Sequence, residues 1–255
     1  IRALMTEKCG NLYAYVMERC CVFAAKGTMQ GFIVPTSSIS TERMRPLQNI
    51  LSKIGFLHST FGFRPSKLFE GANISNMHLS ILLIDPSLKE DIKALNHVKW
   101  NSQFRPFLFN QLQPYTPIHK MIIERFNRIP RFSNYLHLSI IKKLCQKSAV
   151  KINCSTTNYK VYYRTTGGLH YRVFTLFPTH SRKESFIALD SVTHRNIVFC
   201  TYSSNLWNMF YYTFSNCLDV ARFEVEEFPI GLNEMDDFLL MELNYLAMQL
   251  NKDIR

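Results

Sequence analysis

The side chains best placed to do chemistry lie in the stretch FRPSKLFEGANISNMHLSILLI, at positions 63–84. Phe69 stands there among polar, charged and turn-forming residues, and the run MHLSILLI that follows is typical of a buried strand. Arg64 and Lys67 add two cations to the same loop. A large ring on a charged loop can stack on a nucleic-acid base. It can also fold back as a plug onto its own domain, which the composition of the loop alone favours.

A second candidate is the stretch YKVYYRTTGGLHYRVFTLFP at positions 159–178, where two aromatic-rich segments flank a Thr-Thr-Gly-Gly turn signal. Strand alternation is expected to bring Tyr163, Arg164, His170 and Arg172 to a common edge. A basic, aromatic hairpin can contact phosphates and base edges. Edge hairpins also carry Arg and Tyr for packing or solubility, so both interpretations stay open.

The positive charge is concentrated in the middle of the chain. The whole sequence has a formal net charge of +11, but residues 91–200 carry +13, against +4 for residues 1–90 and −6 for residues 201–255. Such a local field indicates a polyanionic partner, most often nucleic acid and less often a membrane surface. A solvated basic face without a partner is the alternative. No basic amphipathic helix supports a membrane-surface role.

Composition narrows the class of protein. The 255 residues are enough for one large domain or two ordinary ones, and no apolar run approaches the length of a membrane-spanning helix. Seven cysteines without C-x-x-C spacing, and eight histidines without metal-ligand spacing, favour reduced thiols in a cytoplasm over disulfides or a metal site. We expect a cytoplasmic protein with no membrane partner. Glu224, Glu226 and Glu227 are predicted to form a solvated acidic strip rather than a catalytic cluster.

The first ninety residues predict alternating helices and strands. Apolar spacing and breakers place helices at 11–25 and 41–54, and strands at 31–35, 56–63 and 77–84. The last two strands are joined by a loop rather than a helix, so they are expected to be antiparallel neighbours. The prediction is an α/β fold: the second half of a doubly wound sheet that ends in an antiparallel strand, an order typical of methyltransferases that use S-adenosylmethionine.

The rest of the chain, residues 91–255, predicts an α+β domain. Trp207, Phe210, Tyr211 and Phe214 fall at helical spacing and are interpreted mainly as core. A terminal helix is predicted to be capped near Asn233. The apolar face predicted for it consists of Phe238, Leu239, Met241, Leu243, Leu246 and Leu250.

Several segments together resemble a known family. The segments GNLYAYVMERC, KGTMQGFIVPTS, STERMRPLQNIL and FRPSKLFEGANISNMHLSILLI resemble the later part of the catalytic domain of bacterial gamma-class adenine-N6 DNA methyltransferases. RPSKLFEGA is the most specific of these matches. The segments YYRTTGGLHYRVFTLFP, YSSNLWNMFYYTFSNCLDV and FEVEEFPI resemble the specificity region of the same enzymes. That family occurs in restriction–modification systems and in single-chain enzymes fused to a nuclease.

The resemblance implies a division of labour. Residues 1–90 would complete the catalytic domain, and residues 91–255 would form a target-recognition domain for double-stranded DNA. Phe69 would stack on the adenine once it is flipped out of the duplex. Arg64 and Lys67 would contact the DNA beside it. Tyr163, Arg164, His170 and Arg172 would contact the DNA from the second domain.

The sequence also departs from the family pattern. It has no Phe-x-Gly-x-Gly stretch and no Asn-Pro-Pro-Tyr or Asp-Pro-Pro-Tyr tetrapeptide, which in the family hold S-adenosylmethionine and the adenine amino group. Ser203-Ser204-Asn205-Leu206 has a permuted order, and Asn216-Cys217-Leu218-Asp219 lacks the basic residues of relatives. Because both motifs are missing, we expect a chain that is inactive alone. There is no initiator Met, so we expect it to work with a missing N-terminal half, with or without a nuclease domain. The alternative is a non-enzymatic DNA-binding module or truncated remnant.

Overall fold

A computed structural model describes residues 3–61, 79–96, 102–110, 114–131, 133–166, 173–215, 217 and 219–254. The chain forms two compact units, Ile1–Ile140 and Ile141–Arg255. It is an α/β protein, with a five-stranded mixed sheet in the first unit and a three-stranded antiparallel sheet in the second. The boundary between the units therefore lies about 50 residues later than the predicted position near residue 90.

The elements follow one another along the chain with short connections. The α-helices of the described residues are α1 (Leu12–Phe23), α2 (Ser37–Ser40), α3 (Arg45–Ser52), α4 (Lys120–Phe126), α5 (Tyr135–Leu144), α6 (Val192–Tyr202), α7 (Asn205–Phe214), α8 (Arg222–Glu226) and α9 (Asp237–Ile254). The strands of the same residues are β1 (Gln30–Pro35), β2 (Phe56–Phe61), β3 (Leu79–Ile84), β4 (Ile92–Ala94), β5 (Thr116–Pro117), β6 (Cys154–Arg164), β7 (Phe174–Thr175) and β8 (Glu184–Leu189).

The sheet of the first unit has the strand order β1-β3-β2-β4-β5. β3 lies between β1 and β2 and runs antiparallel to both, with Ile84 opposite Gln30 on one side and Phe56 on the other. The predicted antiparallel pairing of the last two strands is confirmed. Because β1 and β2 are each antiparallel to β3, they run in the same direction as each other.

The sheet does not end at these three strands. β4 pairs with β2 in parallel, through Phe56 opposite Ile92 and His58 opposite Ala94, and β5 then pairs antiparallel with β4. These two strands come from the region predicted to belong to the second domain, and they explain why the unit boundary lies later. Both are very short, three and two residues, and their sequence carries no alternating pattern of its own.

α1 and α3 pack on the sheet through apolar side chains. Leu47 and Leu51 of α3 are fully buried against the core of the unit. Gly55 lies in the turn between α3 and β2 and has a φ of +100°, which favours glycine. A Cβ at this position would also lie 2.8 Å from the Cβ of Leu88, so only glycine fits the turn. α1 buries Ala14 and Met17.

The opposite side of α1 is uncovered in the described part of the unit. Leu12, Val16 and Phe23 are exposed there, at the spacing of one helical face. β1, directly after this helix, pairs only with β3 among the described strands, so its other edge is open. Glu18 anchors the segment that precedes the helix, because its carboxylate accepts hydrogen bonds from the backbone N–H groups of Met5 and Thr6 at 2.9 and 2.8 Å.

The second unit is built around an aromatic core, as the sequence predicts. Trp207 of α7 is fully buried; its ring centroid lies 4.6 Å from that of Tyr202, 5.3 Å from that of Phe228 and 5.7 Å from that of Phe174. Phe210 packs 6.3 Å from the same indole ring. Aromatic pairs in such tilted and edge-to-face arrangements add stability beyond their burial. The interpretation of this helix as core rather than as a base-stacking platform is confirmed.

α9 begins later than predicted. The side chain of Asp236, not of Asn233, caps the helix by accepting a hydrogen bond from the N–H of Leu239 at 2.8 Å. α9 packs along α6, and Asn196 of α6 donates to the Oδ1 atom of Asn244 at 2.7 Å. The predicted apolar face mixes two sides of the helix, because Phe238 and Met241 are exposed whereas Leu243 is half-buried.

Candidate nucleic-acid interface

Most of the predicted site residues lie outside the described residues. This holds for Arg64, Lys67 and Phe69 in the loop before β3, and for His170 and Arg172 after β6. Their roles stay predictions. Tyr163 and Arg164 lie within the described part of the chain.

The ends of the Phe69 loop are fixed. Residues 62–78 join Phe61, the last residue of β2, to Leu79, the first residue of β3, and these two residues pair directly. Leu79 also pairs with Pro35, the last residue of β1. The loop therefore starts at the carboxyl end of β2 and ends at the amino end of β3, beside the carboxyl end of β1. β1 and β2 share a direction, so their carboxyl ends lie at the same edge of the sheet. Ligands of open α/β sheets bind at this kind of edge.

Buried hydroxyl groups tie this edge together. The Oγ1 of Thr60 donates to the backbone carbonyl of Arg131 at 2.7 Å and lies 3.3 Å from the Oγ of Ser80. Ser80 in turn donates to the Oγ1 of Thr36 at 3.1 Å. Thr36, Thr60 and Ser80 are all buried, so the chain of hydroxyls joins the residue that follows β1 to β3 and β2 inside the protein. A satisfied buried network of this kind makes the edge rigid.

An aromatic ledge stands beside the same edge. It consists of Phe104, Phe107 and Phe109, whose side chains are each more than half exposed, with Arg105 among them. Phe109 packs edge-on against Phe61, with ring centroids 6.0 Å apart, which places the ledge next to the carboxyl end of β2. Exposed rings interleaved with a cation are typical of single-strand and flipped-base contacts.

The ledge was not among the predicted site residues. The aromatic and basic composition of HVKWNSQFRPFLF gives a signal, but composition does not say which rings are exposed. Leu108 within the same stretch is buried, and its side chain holds the segment of the ledge against the protein.

Arg164 and Tyr163 point to opposite faces of the second sheet, contrary to the prediction that they share an edge. Tyr163 is only 2% exposed, and its ring packs 6.1 Å from that of Phe174. Burial raises the pKa of its phenol. Tyr163 is a core residue in this structure and is excluded from the interface proposed below. The prediction failed because successive residues of a strand alternate between faces.

The side chains that share the face of Arg164 are different ones. Lys160 and Tyr162 alternate with it along β6, and Phe186 of β8 lies opposite Tyr162. The Nζ of Lys160 sits 4.3 Å from the centroid of the Phe186 ring, and the rings of Tyr162 and Phe186 are 5.9 Å apart. We call these four residues the outer sheet face. Strand alternation counted from Arg164 rather than from Tyr163 finds Tyr162 and Lys160 from sequence.

The outer sheet face carries two cations, and Glu184 of β8 lies opposite Arg164 on the same face. The ion pairs of the described residues are Lys147–Glu234, Lys151–Glu227, Asp190–His194 and Arg222–Glu226. Within that part of the chain, Lys160 and Arg164 have no carboxylate within ion-pair distance. The antiparallel pairing predicted around the Thr-Thr-Gly-Gly turn is confirmed where it is described, with Tyr162 opposite Thr175 and Tyr163 opposite Phe174.

The acidic residues of this unit act structurally. Glu224 is buried and accepts a hydrogen bond from the N–H of Ala221 at 3.0 Å, so its predicted solvated position is wrong. Glu226 pairs with Arg222 at 2.6 Å, and Glu227 pairs with Lys151. The three carboxylates thus serve separate partners.

One acid–base pair was missed from sequence. The Nδ1 of His194 lies 2.6 Å from the Oδ1 of Asp190, and Asn153 donates to the other carboxylate oxygen at 3.1 Å. Burial alone raises the pKa of Asp190, but the hydrogen bonds from Asn153 and His194 outweigh it and lower the pKa. Asn153 also donates to the Oδ1 of Asn233 at 3.0 Å, so the cluster joins the turn before β6 to the start of α6 and to the chain before α9. We read it as a structural junction.

Other classes of site can be checked on the same residues. All seven cysteines are free thiols. Across the described ranges no three His, Cys, Asp or Glu side chains come together as metal ligands. No helix in those ranges has the length and apolar character needed to cross a membrane.

Comparison with protein-family models gives no match to this chain, and comparison with curated proteins gives none either. The family resemblance therefore rests on the sequence segments that carry it.

Proposed function

We propose that this chain is the target-recognising part of a site-specific DNA methyltransferase that transfers a methyl group from S-adenosylmethionine to N6 of adenine. The observation that carries the proposal is the position of β3. It lies antiparallel between β1 and β2, which run in one direction. The resemblance implies an antiparallel strand next to parallel ones, and this pairing supports it, although β3 lies inside the sheet rather than at its end. The Phe69 loop starts from the carboxyl edge of the same strands.

The aromatic ledge and the outer sheet face support DNA as the partner. Each combines cations with at least one exposed ring, and residues 91–200, which contain both surfaces, carry a net charge of +13. Positive charge gives affinity for phosphates, whereas rings give stacking surfaces for bases. A protein or membrane partner does not require positive charge and exposed rings together.

This chain does not fit S-adenosylmethionine by itself. The two motifs that hold the cofactor and the adenine amino group are missing from its sequence. The open edge of β1 and the exposed face of α1 (Leu12, Val16 and Phe23) fit a further part of the sheet, with a strand added to β1 and an apolar layer over α1. We propose that an N-terminal half of the same protein supplies those elements and binds the cofactor, with or without a nuclease attached to it.

DNA binding is tested first, with the chain as it stands. Fluorescence anisotropy of a labelled duplex should show an affinity that falls by on the order of 10³ between about 50 and 200 mM salt, as expected for six or more neutralised phosphates. Lys160→Gln should weaken binding and make the salt dependence shallower. Lys26→Gln, which removes the same charge from an exposed position in the turn between α1 and β1, is the matched control. Affinity that is indifferent to salt contradicts nucleic acid as the partner.

The enzymatic part needs a second measurement. The DNA upstream of the codon for Ile1 should contain an open frame that encodes Phe-x-Gly-x-Gly and then Asn-Pro-Pro-Tyr. The protein encoded by the joined frame should transfer a labelled methyl group to adenine in duplex DNA. A stop codon or a start next to Ile1 refutes the enzymatic proposal. Salt-dependent DNA binding without that frame supports the second candidate, a non-enzymatic DNA-binding module, which the aromatic ledge and outer sheet face favour on their own.

A further inference from the structure

α9 is held to its unit by one face only. Over its 18 residues, Ala247 is the one fully buried side chain. The contact with α6, fixed by the hydrogen bond between Asn196 and Asn244, covers the inner side of the helix. The outer side carries large apolar groups.

Those groups form a regular stripe. Phe238 is 72% exposed, Met241 66%, Tyr245 61% and Met248 51%. Their spacing is three, four and three residues, and four residues further on stands Lys252. This is the a/d spacing of a coiled coil, over about 15 Å of helix. Single exposed apolar residues need no explanation, but a contiguous stripe at this spacing is typical of a helix-pairing surface.

We propose that α9 pairs with α9 of a second copy of this chain, in an antiparallel two-helix contact centred on Tyr245. In that arrangement Tyr245 meets its own copy, and Met241 of each chain packs against Met248 of the other. Phe238 packs along the aliphatic stem of Lys252 from the second copy.

Charge selects both the partner and the orientation. Asp236 and Asp237 stand at the start of α9 and Lys252 in its last turn. Antiparallel pairing brings Lys252 of one copy beside Asp237 of the other, so the surface is complementary to itself. It also opposes the two helix dipoles.

A parallel pair is unfavourable for the same residues. With Phe238 at position a and Met241 at position d of the heptad, Asp237 occupies position g and Glu242 occupies position e. In a parallel pair the g residue of one helix faces the e residue of the next heptad on the other. Asp237 would then face Glu242 twice, as like charges. In the antiparallel pair, Glu242 faces Gln249 and Asp237 faces Asn251, with no like-charge contact.

Sedimentation velocity of the full 255-residue chain tests the proposal. We expect a reversible monomer–dimer equilibrium between roughly 1 and 200 µM, since four side chains per helix make a small interface. Met241→Lys should weaken dimerisation by on the order of 100-fold, because it places an unpaired charge in the contact. Leu136→Lys, at an exposed apolar position on α5, is the matched control and should leave the equilibrium unchanged. Met241 is exposed in the monomer, so its substitution leaves folding intact, which circular dichroism verifies.

Two further variants test the orientation. Asp237→Lys should weaken the dimer, and combining it with Lys252→Asp should restore it. When Met241→Cys and Met248→Cys proteins are mixed and oxidised, peptide mass spectrometry should find the 241–248 link in excess over 241–241. A chain that stays monomeric at all concentrations overturns the proposal, as does a dimer that Met241→Lys and Leu136→Lys affect equally. An excess of 241–241 links overturns the antiparallel orientation.

Discussion

His58 makes the first unit sensitive to mild acid. Its side chain is fully buried in β2, 5.9 Å from the ring of Phe56, and neither ring nitrogen has a hydrogen-bond partner among the described residues. Burial lowers its pKa from 6.5 to about 3. The folded protein thus holds this histidine neutral, whereas the unfolded chain binds a proton as the pH falls below 6.5.

The size of the effect follows from these two pKa values. The neutral form costs nothing extra at pH 7, where the unfolded chain is also mostly neutral. Between pH 6.5 and the folded pKa of about 3, each pH unit removes about 1.4 kcal/mol of stability. At pH 5 the first unit should therefore be about 2 kcal/mol less stable than at pH 7 from this residue alone. That is a substantial part of the stability of a typical domain.

Hydrogen exchange can measure this loss of stability in the first unit separately from the second. Peptides that cover β2 and β3 report its opening free energy at pH 7 and pH 5, after correction for intrinsic exchange rates. His58→Leu introduces an apolar side chain of similar volume that cannot bind a proton. It should remove about 2 kcal/mol of the difference in opening free energy between pH 7 and pH 5. His119→Leu, at an exposed position in the same unit, is the control and should keep the difference. An equal pH dependence in the wild type and in His58→Leu would refute the reasoning.

Two predictions concern the proposed DNA contacts. Arg164→Ala should cost binding on the order of 1–3 kcal/mol in duplex anisotropy if Arg164 reads a guanine, and Lys26→Ala should not; equal losses would place Arg164 outside the interface. Phe69→Ala in the complete enzyme should reduce the fluorescence rise of 2-aminopurine at the target position, because the flipped base loses its stacking partner, whereas Phe69→Tyr should retain most of it. An unchanged signal in Phe69→Ala would leave Phe69 as a packing residue.

The long periodic helices and strands were predictable from the sequence. The very short strands, and the face on which each strand residue lies, were not. α1, β1, β2 and β3 follow from apolar runs and breakers, and the antiparallel pairing of β2 with β3 follows from the lack of a crossover helix between them. β4 and β5 carry too few residues to show a period, and only tertiary pairing with β2 makes them strands. This is why the predicted boundary near residue 90 was too early.

The candidate site shows the same limit. The aromatic core around Trp207 follows from helical spacing, since burial on one face fixes a period. The choice between Tyr162 and Tyr163 on β6 depends on which face of a strand is solvated, and both faces carry aromatic residues. Sequence gives the alternation but not its phase, so Tyr163 was predicted and Tyr162 was missed.

The position of β3 has a consequence for how the first unit folds. β1 and β2 do not pair with each other; both pair with β3, which is synthesised after both, and β2 also pairs with the still later β4. Until residue 84 has left the ribosome, β1 and β2 are therefore without the strand that joins them, and closing that gap requires contacts between residues about 50 apart in sequence. Such non-local pairing slows folding and leaves unpaired strand edges exposed in the meantime. The growing chain is thus most prone to aggregation in the interval before β3 is complete, because β1 and β2 then expose unpaired edges.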